Sequence, residues 1–237
     1  MNVINPIDIA NPIRSLPYVY LETTRSRRLI EQVFGVPYRR VPPVPSRDWR
    51  FLRHDVEMCD ELVAFELTAK KLGVPFGYQP HIDADSKHIY PKVTIYWDGL
   101  TYKLRPQPDK TLIIGDTHYI LEHDCGEETI ECVNIIRDAT IGRKHLVYDA
   151  LFRSQAMKLQ GWEKTSVLYV IDGKNGSKNT ARKRIKSCLE KFPIGINPVR
   201  LHFVDRTTFL ENKCDVSLLS WVRGDGVVTK LHTDKKP

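Results

Sequence analysis

The chain has few cysteines, and their arrangement matches no disulfide or zinc-finger pattern. Five of the 237 residues are cysteines, an odd number. They are scattered, with no C-x-x-C pair and no neighbouring histidine at zinc-finger spacing, at Cys59, Cys125, Cys132, Cys188 and Cys214. This pattern argues against a disulfide framework and against a structural zinc, and it favours buried free thiols.

Long apolar runs are missing as well. No stretch approaches the roughly 18 to 20 apolar residues that a membrane-spanning helix needs. The start, MNVINPIDIANPIRSL, lacks the charged region and apolar stretch of a secretory signal. We therefore expect a cytoplasmic protein without a membrane partner.

The composition is that of an ordinary globular protein. Hydrophobic residues make up 41% of the chain and charged residues 27%, which is sufficient for one sizeable core. The net charge of +7 arises from 36 Lys plus Arg against 29 Asp plus Glu. This excess favours an anionic partner such as nucleic acid but does not single one out.

The first fifty residues differ from the rest. Residues 17 to 22, PYVYLE, have the composition of a strand, and SRRLIEQVFG after them predicts a short helix that ends at Gly35. Residues 36 to 50 contain four prolines and predict an irregular linker. We expect an N-terminal arm over residues 1–50 and a main domain over residues 51–237.

The main domain alternates helical and strand patterns. Apolar residues recur at helical spacing from Asp55, a candidate N-cap, to Gly73. Residues 91 to 124 predict a four-stranded antiparallel meander, and residues 127 to 160 a helix interrupted near Gly142. SVLYVID then predicts a buried strand, TARKRIKSCLEKF a basic helix, PVRLHFV a strand, and the C-terminus two short strands. Together these patterns indicate an α/β fold.

Three carboxylates are predicted to converge. The strand period of two puts Glu122 and Asp124 on one side of HYILEHD, with Ile120, and His123 on the other. Asp109 begins the preceding strand, so the hairpin between the two strands can bring it beside them. Such a cluster predicts a Mg²⁺ site, since Mg²⁺ prefers carboxylate and water oxygens. Solvated acids at the end of a strand remain the alternative.

These residues lie in segments that resemble a known family. PDKTLII, YILEHDCGEETI and IGRKHLVYDALF, in this order, resemble the replication-relaxation family of plasmid and mobile-element proteins. FLRHDVEMCDELVAFELTAKKLG, SVLYVIDGKNGSKNTARKRI and LLSWVRGDGVVTKL extend the resemblance to residues 50 to 232 or so. The resemblance implies a PD-(D/E)XK, restriction-endonuclease-like core, with a central mixed β-sheet flanked by helices.

The resemblance also implies roles for single residues. Asp109 takes the place of the superfamily's PD aspartate, and Glu122 that of its second acid. The chain departs from the pattern at Asp124, where the superfamily has lysine, so Lys144 on the next predicted helix becomes the candidate catalytic lysine. Tyr148 follows one helical turn later on the same face. A solvated surface lysine is an equally open interpretation of Lys144.

Two further sets of residues are candidates. Glu66 lies at the edge of the apolar stripe of the first helix of the main domain, where the superfamily often supplies another acid; a flanking surface role is the alternative. A basic loop and helix predict contacts with the DNA backbone through Lys174, Lys178, Arg182, Lys183 and Arg184, with solvated surface as the alternative.

The functional expectation is a metal-dependent DNA endonuclease that acts on plasmid or mobile-element DNA. Its metal would be Mg²⁺, with Mn²⁺ as a substitute, held by Asp109, Glu122 and Asp124. The alternative is a catalytically inactive DNA- or partner-binding protein on the same fold. PYVYLETTRSRRLIEQVFG resembles only the wing and the following helix of the family's winged helix, so we expect a protein partner to supply sequence recognition. A homodimer is compatible with cutting of two strands.

Overall fold

The structure is a computed structural model that describes residues 4–7, 19–22, 49–78, 90–137, 140–159, 162–173, 176–193, 195–212 and 215–231. It divides into two compact units, Met1–Arg53 and His54–Pro237. In the first unit, strands β1 (Ile4–Ile7) and β2 (Val19–Glu22) pair antiparallel. The predicted helix at residues 26–35 and most of the predicted linker lie outside the described residues.

The second unit is built around a seven-stranded mixed sheet. In chain order the strands of this unit are β3 (Phe76–Tyr78), β4 (Val93–Trp97), β5 (Leu100–Leu104), β6 (Lys110–Ile114), β7 (Thr117–Asp124), β8 (Ser166–Ile171), β9 (Leu201–Asp205), β10 (Trp221–Arg223) and β11 (Val228–Thr229). The strand order of the seven-stranded sheet is β11-β10-β9-β8-β7-β6-β3. Strands β7, β8 and β9 are parallel to one another, and the other neighbours pair antiparallel.

Five α-helices are described. They are α1 (Trp49–Leu72), α2 (Ile141–Arg153), α3 (Gln155–Leu159), α4 (Lys178–Glu190) and α5 (Arg206–Glu211), and two short 3-10 helices lie at Pro198–Arg200 and Val216–Leu218. Since α1 begins at Trp49, Asp55 lies inside the helix, and its prediction as an N-cap is wrong. No helix in the described part of the chain is long and apolar enough to cross a membrane.

Each face of the sheet carries its own hydrophobic core. On one face Ile120 of β7 packs with residues of α2 and α4, and on the other Leu121 packs with residues of α1 and α5. Every residue of β8 except its first is buried, because helices cover this central parallel strand on both sides. The α/β class and the mixed sheet between helices, both predicted from sequence, are confirmed.

Two predictions of local structure are wrong. Strands β4 and β5 form a separate two-stranded sheet, so residues 91–124 are not one meander. Residues 127–137 are irregular, and the helix begins only at Ile141. The reason lies in the first turn of α2, where Ile141 and Gly142 donate their N–H groups to carbonyl oxygens of this preceding segment at 3.0 and 2.8 Å. The segment therefore caps the helix instead of extending it.

Candidate active site

The β6–β7 hairpin places Asp109 opposite Glu122. Lys110 pairs with Leu121, and continuing this antiparallel register by one residue sets the two acids side by side. Asp109 Oδ2 accepts the backbone N–H of His123 at 2.8 Å and lies 3.3 Å from His54 Nε2 on α1. Burial by itself would raise the pKa of Asp109, but the His54 hydrogen bond and the charge of Lys144 outweigh it and hold that pKa below its usual value.

Helix α2 directs Lys144 and Tyr148 at Glu122. The two residues are one turn apart and share a face of the helix. Lys144 Nζ lies 2.8 Å from Glu122 Oε2, and the Tyr148 hydroxyl donates to Glu122 Oε1. Burial raises the pKa of Glu122 to about 8, and Lys144 opposes this shift only in part. Lys144 stays protonated, because the neighbouring carboxylates raise its pKa more than burial lowers it.

Lys144 contacts a second carboxylate, Glu128, which the sequence patterns did not indicate. Lys144 Nζ lies 2.8 Å from Glu128 Oε1, so the ammonium bridges two acids. The other oxygen, Oε2, is buried and has no hydrogen-bond partner among the described residues. Glu128 lies in the irregular segment before α2, where no periodicity indicates which way a side chain points, although it is part of the motif YILEHDCGEETI.

Asp124 belongs to a different set of contacts. Its carboxylate accepts from Arg184 of α4 with both oxygens, one of them at 3.1 Å, and also from the N–H of Gly126 at 3.0 Å. Arg184 donates in addition to the backbone carbonyl of Glu128. Arg184 was predicted to contact DNA, but in the structure it neutralises Asp124 and ties α4 to the segment before α2.

The other predicted basic residues are spread over different contacts. Lys178 pairs with Glu211, and Arg182 lies 3.5 Å from Asp205 at the end of β9. Lys183 is exposed, and Lys174 lies outside the described residues. Among those of these basic residues that the structure describes, no compact cluster lies at the acids of β7.

Glu66 is exposed and does not belong to the cluster around Glu122. The face of α1 that reaches β7 carries Glu57 and Glu61 instead, which contact His123. Glu66 is five residues beyond Glu61, or roughly 140° around the helix at 100° per residue. Of the two interpretations of Glu66, its exposed position agrees with a flanking surface residue, and a role at the site stays a prediction.

The charges at the site suit a divalent cation. The ammonium of Lys144 contacts Glu122 and Glu128, and its charge also lowers the pKa of Asp109. With all three acids ionised and His54 neutral the formal charge is −2, a state that requires Glu122, whose pKa burial raises to about 8, to release its proton. Three acids with one orphaned buried oxygen, Glu128 Oε2, fit a hard ion such as Mg²⁺. Among the described residues, the carboxylate oxygens of these acids are farther apart than the ligand atoms of a bound metal ion. The Lys144 ammonium must therefore leave the space between the acids before an ion can bind there.

Comparisons with known proteins identify no relative of this chain. No protein-family model, no curated protein and no solved structure matches this chain.

Proposed function

We propose that the chain is a Mg²⁺-dependent DNA endonuclease with a restriction-endonuclease-like core, acting in plasmid or mobile-element DNA processing. The observation that supports this proposal is the convergence of Asp109, Glu122 and Lys144 from two paired strands and the following helix. Two acids and a lysine, brought together at the middle of a mixed sheet, are the residue types of a PD-(D/E)XK centre. The lysine of this centre comes from α2 instead of β7.

Each side chain has a defined task in this proposal. Asp109, Glu122 and Glu128 would hold the ion, and Mn²⁺ would substitute for Mg²⁺ because both take oxygen ligands. The bound ion would polarise the scissile phosphate and lower the pKa of an attacking water. Lys144, once released from the carboxylates, places its ammonium where negative charge builds up on the phosphate.

Two residues position the acids. Tyr148 donates to Glu122 Oε1, which leaves Oε2 to face Lys144 or a cation. His54 and the backbone N–H of His123 both bind Oδ2 of Asp109, which leaves Oδ1 for the ion. The ligand oxygens are therefore oriented before the metal binds, a condition for efficient electrostatic catalysis.

The test combines calorimetry with plasmid nicking. Wild type should bind Mg²⁺ and nick supercoiled plasmid, whereas Asp109→Asn and Lys144→Met should each lose at least about 100-fold in rate, the scale of a lost charge-stabilising group. Asp98→Asn is the matched control, since Asp98 is exposed in the β4–β5 turn with φ 49°, a conformation that Asn tolerates. Absence of both Mg²⁺ heat and nicking in wild type would refute the enzyme proposal.

One observation favours the second candidate, an inactive DNA- or partner-binding protein. Asp124 occupies the place of the superfamily's lysine and is held by Arg184, while Lys144 is held by two glutamates. An inactive DNA-binding protein should lose DNA affinity steeply as the salt concentration rises, as expected for phosphate contacts, and it should not nick plasmid. A protein partner would then supply sequence recognition, and sedimentation with and without DNA would reveal a homodimer.

A further inference from the structure

The opposite side of β7 carries a second group of metal-binding side chains. His123 of β7, Glu57 of α1 and Cys125, directly after β7, bring a ring nitrogen, a carboxylate oxygen and a thiol to within 4.8 Å of one another. Glu57 Oε2 lies 2.9 Å from His123 Nε2 and 3.7 Å from Cys125 Sγ. We propose that this group binds a transition-metal ion, Zn²⁺, at a site separate from the acids that Lys144 bridges.

The donor set determines the class of metal. Imidazole and thiolate are poor ligands for Mg²⁺ or Ca²⁺, which prefer oxygen, and they suit Zn²⁺. Tetrahedral Zn²⁺ with its usual bond lengths needs ligand atoms about 3.4 to 3.6 Å apart. The Glu57–Cys125 distance of 3.7 Å already fits, and the Glu57–His123 distance of 2.9 Å must open by roughly half an ångström.

Neighbouring residues orient the ligands. His123 Nδ1 lies 2.6 Å from Oε1 of Glu61, a carboxylate that fixes the ring with Nε2 toward Glu57. This carboxylate–histidine pairing is the usual support of a zinc-bound imidazole. Arg206 Nη1 lies 3.8 Å from the other oxygen of Glu57, Oε1, which leaves Oε2 on the side of His123 and Cys125.

A second observation also supports a cation at this group. Glu61 is fully buried, at 0% exposure, and its Oε2 has no hydrogen-bond partner among the described residues. An unsatisfied carboxylate oxygen costs free energy inside a protein unless a positive charge is near. A Zn²⁺ ion on His123 would add to the positive charge that Arg206 already supplies near Glu61. Solvent can deliver the ion, because Glu57 is 13% exposed and Cys125 is only half-buried.

Binding exchanges protons for the ion. The Nε2 proton of His123 and the thiol proton of Cys125 leave to solvent. The hydrogen bond from Nε2 to Glu57 is replaced by one bond from His123 and one from Glu57 to Zn²⁺, and the Cys125 thiolate binds the same ion. Three protein ligands leave a fourth position for water. The backbone N–H of His123 binds Asp109, so the zinc would also stiffen the point where β7 holds that acid.

The test uses the full chain, stripped of metal by a chelator. Wild type should bind one Zn²⁺, and Co²⁺ in its place should give a thiolate-to-metal charge-transfer band. Cys125→Ser should abolish the band and weaken Zn²⁺ binding at least about 100-fold, while Glu61→Gln should weaken it 10- to 100-fold, as expected for a residue behind a ligand. Cys59→Ser is the matched control, since Cys59 is exposed on the same helix as Glu57.

The outcomes separate this site from the proposed nuclease centre. Glu122→Gln, on the opposite face of β7, should leave the affinity for Zn²⁺ and the Co²⁺ band unchanged whether or not the chain nicks DNA. Absence of Zn²⁺ binding by wild type, or equal affinity in Cys125→Ser, overturns the proposal. Circular dichroism of each metal-free variant shows whether it folds. If Glu61→Gln does not fold, the decision rests on Cys125→Ser, whose substitution site is half-buried.

Discussion

The ion pair between Asp124 and Arg184 can be tested by removing one charge. Asp124→Asn keeps the shape of the side chain and the oxygen that accepts from Gly126, but it removes the negative charge. The two side chains of the pair are 3% and 14% exposed. Arg184 would keep its bond to the Glu128 carbonyl, but its guanidinium would lose its counter-charge.

The expected cost follows from this burial. Removal of one partner of a buried ion pair costs about 3 to 5 kcal/mol, because the other charge remains uncompensated. The Arg184 side chain is 14% exposed and would keep one hydrogen bond, so we expect a cost at the lower end of this range, about 3 kcal/mol. At roughly 2 to 4 °C per kcal/mol for a chain of this size, Tm should fall by about 6 to 12 °C.

Urea unfolding at pH 7 measures this free energy, with the exposed Asp98→Asn as control. Adding Arg184→Met to Asp124→Asn removes the uncompensated charge, so the double variant should be more stable than Asp124→Asn alone. If Asp124→Asn changes stability by less than about 1 kcal/mol but weakens Mg²⁺ binding as much as Asp109→Asn does, the reasoning fails. Asp124 would then be a metal ligand, as the sequence had predicted.

Two further predictions concern stability. Burial lowers the pKa of His145 to about 3, so below pH 6.5 the unfolded chain binds a proton at this ring that the folded chain does not bind. Between pH 7 and pH 4 this difference should lower the free energy of unfolding by about 3 kcal/mol. The free energy of unfolding of His145→Leu should fall by about 3 kcal/mol less than that of wild type over the same pH range. If wild type and His145→Leu lose equal stability, His145 does not titrate in this way. Gly173→Ala should destabilise by about 1 to 3 kcal/mol, because a Cβ there would lie 2.0 Å from Ser177 O and the backbone must shift. Gly77→Ala, whose Cβ would meet nothing within 4 Å, is the matched control, and equal Tm values for the two variants would contradict the clash.

The sequence by itself determined the local geometry of the candidate site. The period of two along β7 correctly placed Glu122 and Asp124 on the face opposite His123, and the hairpin correctly brought Asp109 beside Glu122. The helical spacing of Lys144 and Tyr148 correctly put both on one face of α2. These relations depend only on the fixed geometry of a strand, a hairpin and a helix, which nearby residues are sufficient to specify.

Only the tertiary structure decided which charges meet. Arg184 lies 60 residues from Asp124, and Glu61 lies 62 residues from His123, so no spacing in the sequence links them. Their partners depend on how α4 and α1 pack against the two faces of the sheet. The same holds for Glu57, which lies on α1, 66 residues from His123. A search for cysteine and histidine at short spacing finds His123 and Cys125, which are two residues apart, but it cannot find Glu57, because only the packing of α1 against the sheet brings that ligand to the other two.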